Sequence, residues 1–139
     1  MKNGICTVFG VIGGAISYAV GGWSQAMMTL IIFMAIDYIS GLIVAGVFKK
    51  STKTETGALE SRTGFKGICR KFMMIVFVVI GHRTDLLLGS TYIRDTVAIA
   101  FIVNELISIV ENAGLMGIPI PAVISNAIDV LKKDNEKEG

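Results

Sequence analysis

Between residues 3 and 48 the chain carries one charged side chain, Asp37. No soluble domain of 139 residues could bury so long a stretch on every face, whereas a bilayer core about 30 Å thick accepts it. Composition agrees, with 53% of residues apolar and 17% charged, against roughly 25% charged in soluble domains. The sequence therefore reads as a membrane protein with the length of one domain. A net charge of +2 and two cysteines exclude a disordered chain, a disulfide-knotted secreted fold and nucleic-acid binding by bulk charge.

Cys6 and Cys69 have no C-x-x-C partner, and His82 is the sole histidine, so neither a zinc nor an iron–sulfur site can be built from them. They read as small apolar residues. No cofactor and no metal is expected.

Four apolar stretches can be marked. The first covers residues 4–22, and the second, residues 23–48, has 26 residues. That is about 39 Å of helix at 1.5 Å per residue, more than a bilayer core requires. Gly21-Gly22 before Trp23 predicts a tight turn with an aromatic at the headgroup level. The stretch after Lys2 has the shape of a signal peptide with Ser17 and Ala19 near a cleavage point, and we expect it to be retained. Residues 49–71 are the polar loop, with seven basic side chains (Lys49, Lys50, Lys53, Arg62, Lys66, Arg70, Lys71) against Glu55 and Glu60. The positive-inside rule places it in the cytoplasm.

The third stretch, residues 72–93, is interrupted by His82, Arg83 and Asp85, and the fourth, residues 96–118, contains Asn104, Glu105 and Glu111. Gly117, Pro119 and Pro121 break the fourth helix, and Pro121 can open a short amphipathic helix over residues 122–133. Val123, Ile124, Ala127, Ile128 and Leu131 share one face of it, suited to a membrane surface or a partner. The tail from Lys132 is balanced in charge and expected to be mobile.

The fold class is thus an all-α membrane protein, a single domain over residues 1–139, with about four membrane-embedded helices and a C-terminal amphipathic helix. Four spans put both ends inside, with Lys2, the loop cations and Lys132, Lys133 and Lys137 on one side and Arg94 alone outside. The alternative has three spans and an interfacial first stretch, because six glycines in 19 residues weaken a helix.

Asp37 is the sharpest single feature, since a carboxylate at the centre of a span costs about 2.5–3.5 kcal/mol on insertion scales. Gly41 and Ala45 follow at intervals of four, so all three share a small-residue face that a second helix can approach. Asp37 is then a buried contact or pore-lining group, or a protonated or snorkelling acid. Gly10 with Gly14, and Gly13 with Ser17 and Gly21, form similar faces in the first stretch. His82, Asp85 and Gly89 share a face of the third, where His82 and Asp85 can hydrogen-bond as a structural polar pair or a proton relay. In the fourth, Asn104, Glu105, Ser108, Glu111 and Asn112 fall within an arc of about 120°. That stripe could line water in an oligomer or be buried against neighbouring helices. No nucleophile–base–orienter set exists, and GVIGGA lacks the G-x-G-x-x-G spacing, so an enzyme is not expected.

The segments DYISG (37–41), GFKGICRK (64–71), GHRTD (81–85) and FIVNELISIVENAGLMGIPIP (101–121) together resemble the bacteriophage holin family, which includes toxin-secretion holins. The resemblance covers about residues 30–131. Its most specific part is carried by Asn104, Glu105, Ser108, Ile109, Glu111, Asn112, Gly117, Pro119 and Pro121. It implies a multi-pass protein of the host cytoplasmic membrane that forms homo-oligomers among membrane lipid and permeabilises the membrane at a programmed time. Endolysin, the functional partner, would be released without direct binding. An antiholin is a possible partner, nucleic acid is not, and some relatives are thought to export toxins. Two other classes stay open: a non-lytic, antiholin-like regulator or scaffold, and a selective small-ion channel.

Overall fold

The structure is a computed structural model that describes residues 1–138 and the side chains of residues 1–134. Five α-helices and no strand are present among these residues: α1 (Lys2–Val20), α2 (Gln25–Ile43, prolonged by a π turn over Val44–Phe48), α3 (Ser61–Leu88), α4 (Ile93–Leu115) and α5 (Ala122–Glu138). By length and apolar composition, α1 and the segment Gln25–Phe48 can each cross a membrane.

The helix ends follow from local chemistry. Gly21 (φ 84°) and Gly22 (φ 96°) occupy left-handed backbone that suits glycine, and the Gly22 amide donates back to Ser17 O at 2.7 Å, which closes α1. Ser24 then caps α2 by accepting from the Met27 amide at 3.2 Å. Gly117 (φ 82°) closes α4, with the Ile118 amide donating to Ala113 O at 3.0 Å, and Pro119 and Pro121 carry the chain to α5.

Two expectations are corrected. Residues 61–71 belong to α3 and are not part of a loop, so the irregular basic segment is residues 49–60. The reason lies in spacing: Arg62, Lys66 and Arg70 recur every four residues on an exposed face, while Thr63, Gly64, Gly67, Lys71 and Met74 are half-buried on the other. Glycines and cations hide an amphipathic helix from a hydropathy reading. The amphipathic helix expected over residues 122–133 runs on through Glu138; the Lys137 side chain and Gly139 lie outside the described residues.

α4 packs against both α2 and α3, which scarcely meet each other. The C-terminal ends of α1 and α3 and the starts of α2 and α4 gather at one end, so α2 and α4 run parallel and α3 antiparallel. Val20, Met27, Leu30, Met34, Val78, Ala98 and Ile102 form the apolar core toward this end. Gly81 permits the closest approach there, since a Cβ on it would stand 3.1 Å from Arg94 Cα. α1 is joined mainly through its last turn: Val20 is buried, Gly13, Ser17 and Ala19 are half-buried, and the other α1 side chains are exposed. Cys6 and Cys69 are free and exposed on the helices rather than packed inside.

Candidate functional site

Beyond the apolar core, toward the loop end, the interior turns polar. Asp37 lies twelve residues from the start of α2 and Glu105 twelve from the start of α4. At 1.5 Å per residue each carboxylate stands about 18 Å along its helix, and because the two helices run parallel the acids come within reach of one side chain. Lys71 of α3 reaches between them, with Nζ 2.7 Å from Asp37 Oδ2 and 2.7 Å from Glu105 Oε2. Asn112, one to two turns further along α4, donates through Nδ2 to Asp37 Oδ1 (3.1 Å), Asp37 O (3.2 Å) and Ser40 Oγ (2.8 Å). Asp37, Glu105 and Asn112 are buried and Lys71 is half-buried. A charge in an apolar interior needs such pairing, because its desolvation penalty otherwise dominates.

A cavity of about 220 Å³ opens beside the cluster, among α2, α3, α4 and the 49–60 loop. Tyr38 forms part of its wall, and the Cβ positions of Gly64 and Gly67 lie 3.3 Å from its hydroxyl and 3.7 Å from its ring. Those two glycines let α3 accept the Tyr38 side chain against its backbone.

The residues singled out in the sequence fall into three groups. Asp37, Gly41, Ala45, Asn104, Glu105, Ser108 and Asn112 all line the cavity. Gly41 faces Asn112, whose Nδ2 is 3.8 Å from a Cβ built on it, and Ala45 is buried. The α4 stripe divides, however, for Glu105 and Asn112 are buried, Ser108 is half-buried, and Asn104 and Glu111 are exposed. Glu105 finds its counter-charge within its own chain, so its burial by itself does not require an oligomer.

His82 and Asp85 belong to the opposite end and do not hydrogen-bond to each other. Asp85 accepts from Ser90 Oγ (2.6 Å) and the Ile93 amide (2.9 Å) through Oδ1, and from the Arg94 amide (2.9 Å) through Oδ2. It therefore caps the N-terminus of α4, where free amides favour an anion. His82 packs its ring against Gly21. The third group, Gly117, Pro119 and Pro121, makes the break between α4 and α5.

Sequence reasoning missed Lys71 and Arg94 as contact residues. Arg94 Nη1 donates to Val20 O (3.0 Å), Gly21 O (2.9 Å) and Gly22 O (3.3 Å), tying the carbonyl end of α1 to the start of α4. For Lys71 a signal existed in its offset, about 140° around a helix from the centre of the Arg62–Lys66–Arg70 face. For Arg94 there was none beyond a lone cation beside a glycine-rich turn.

Fold and site define a small helical bundle with membrane-length apolar helices and an ion cluster in its interior, which points to a membrane protein. The bacteriophage holin family matches residues 14–133, and the chain belongs to that family. An uncharacterized protein of Halalkalibacterium halodurans is 41% identical over 91% of this chain and 93% of its own length. An uncharacterized protein of Listeria monocytogenes is 41% identical over 86% of this chain and 82% of its own. A probable holin of Bacillus phage phi105 is 30% identical over 78% of this chain and 76% of its own. No solved structure matches the chain.

Proposed function

We propose that this protein is a holin: it accumulates in a bacterial cytoplasmic membrane, self-associates there and opens it to release an endolysin. The observation that carries this reading is membership of the holin family across residues 14–133, shared with a phage-encoded relative described as a probable holin. The geometry is compatible with a membrane address for more than the two apolar helices. α3 and α4 bring charged groups to the interior, but Lys71 pairs there with Asp37 and Glu105, which lowers the cost of placing these helices in lipid. In this reading α1 to α4 all cross the bilayer, with Lys49, Lys50, Lys53, Arg62, Lys66 and Arg70 gathered at the cytoplasmic face.

The helix exteriors supply the surface for self-association and lipid contact. Ile5, Phe9, Ile12, Phe72, Phe77 and Leu87 are exposed from α1 and α3, an arrangement that water would not tolerate over so wide an area. The protein acts without a cofactor and without direct contact with endolysin; an antiholin or a toxin cargo would be an accessory to the same hole. Inducing the chain alone in a bacterium tests the reading. Collapse of membrane potential and viability at confirmed membrane expression is the expected result. Unchanged potential and viability would assign the chain to the non-lytic regulator class instead.

A further inference from the structure

Two carboxylates share one ammonium inside the bundle. Asp37 Oδ2 and Glu105 Oε2 each lie 2.7 Å from Lys71 Nζ, so they stand no further apart than twice that distance. With both acids ionised the cluster carries one net negative charge, while the Asp37 residue is 5% exposed and Glu105 is 2% exposed. Like charges at this range resist simultaneous ionisation, and an apolar interior penalises whatever charge is left over.

The surroundings supply no second ion pair to these acids among the described residues. Lys53, Glu60 and Arg70 line the same cavity, yet neither cation forms an ion pair with Asp37 or Glu105 among the described residues, and both are exposed. Tyr38, also in the wall, brings a hydroxyl and no cation. The two acids differ in one respect. Asp37 has both oxygens engaged, Oδ1 by Asn112 and Oδ2 by Lys71. Glu105 Oε1 accepts no hydrogen bond among the described residues, although Glu105 is almost wholly buried and lines the cavity.

We propose that Asp37, Lys71 and Glu105 form a proton-binding site, in which one proton on Glu105 Oε1 brings the cluster to zero net charge. The proton comes from water in the cavity and returns to it; Glu105 passes between carboxylic acid and carboxylate, and no other bond changes. The Lys71 ammonium stays bonded to Asp37 in both states. The inference rests on the reading that the bundle lies in a membrane, but it does not require the protein to open a hole.

Infrared spectroscopy of the purified full-length protein in lipid vesicles tests it without reference to lysis. At pH 7 the wild type should show a carbonyl band from one protonated carboxylic acid, which disappears as pH is raised well above neutrality. Glu105→Gln should lack the band. Asp37→Asn should lack it too, although Glu105 remains, because Glu105 alone against Lys71 needs no proton to balance charge. A band that persists in Asp37→Asn would mean that burial and not charge sharing holds the proton, and would overturn the proposal. So would its absence from the wild type at pH 7, or its loss when sodium chloride is added at constant pH, which would assign the site to a metal cation. Circular dichroism reports whether each variant is folded, and the wild-type pH and salt series decides the matter if a variant is not.

Discussion

Lys71→Met removes the cation that bridges two buried acids while keeping a side chain of similar length. The methionine cannot donate, so Asp37 Oδ2 and Glu105 Oε2 each lose a 2.7 Å charge-assisted bond, while Asp37 keeps only its contact to Asn112. Removing one member of a buried ion pair costs about 3–5 kcal/mol, because the partner's desolvation is then uncompensated. That is a large share of the 5–15 kcal/mol typical of a folded domain. On the scale of globular domains it lowers the melting temperature by on the order of 10 °C or more. Thermal circular dichroism in detergent micelles, with Trp23 fluorescence as a second probe, measures the shift. The combined change Lys71→Met, Asp37→Asn and Glu105→Gln leaves no net charge in the cluster and should recover most of the loss. A Lys71→Met protein that melts with the wild type, or a triple variant no better than the single, would refute the assignment of Lys71 as the interior counter-ion.

Three further outcomes are expected. Arg94→Ala frees the carbonyls of Val20, Gly21 and Gly22; losing hydrogen bonds from a charged donor, at about 1.5–3 kcal/mol for one such bond, should speed amide exchange at Gly21 and Gly22 roughly tenfold or more. Gly81→Val sets a Cβ 3.1 Å from Arg94 Cα, a backbone atom that cannot yield alone, and should destabilise by about 1–3 kcal/mol in the same melting assay. Ser51→Cys, in a background without Cys6 and Cys69, should react with a membrane-impermeant reagent from outside only after the cell membrane is breached; labelling of intact cells contradicts a cytoplasmic loop.

Much of the helical layout was legible because its signals are local. The Gly21-Gly22 turn, the break at Gly117, Pro119 and Pro121, and the uncharged run around Asp37 are each written within a few neighbouring residues. The ion cluster was only half legible. That Asp37 needs compensation follows from its place in an apolar helix, but its partners lie 34 residues on at Lys71 and a further 34 on at Glu105. Pairing at that distance depends on how three helices are turned about their axes, which periodicity leaves open. Lys71 was obscured further by six other cations in the same segment, and its offset from the Arg62–Lys66–Arg70 face tells only once residues 61–71 are read as helix. Asp85 shows the converse error: its spacing from His82 on one helix suggested a bond along α3, whereas the free amides at the start of α4 offer a carboxylate more donors than one imidazole can.

Timed release shows whether this bundle opens a membrane wide enough for an enzyme. The chain would be induced in a bacterium together with a cytoplasmic endolysin that has no export signal of its own, and culture turbidity followed. A holin gives steady growth, then an abrupt fall in turbidity that requires both proteins. Loss of membrane potential without any fall in turbidity would show a pore too small for an enzyme, and continued growth with both proteins present would contradict the holin reading outright.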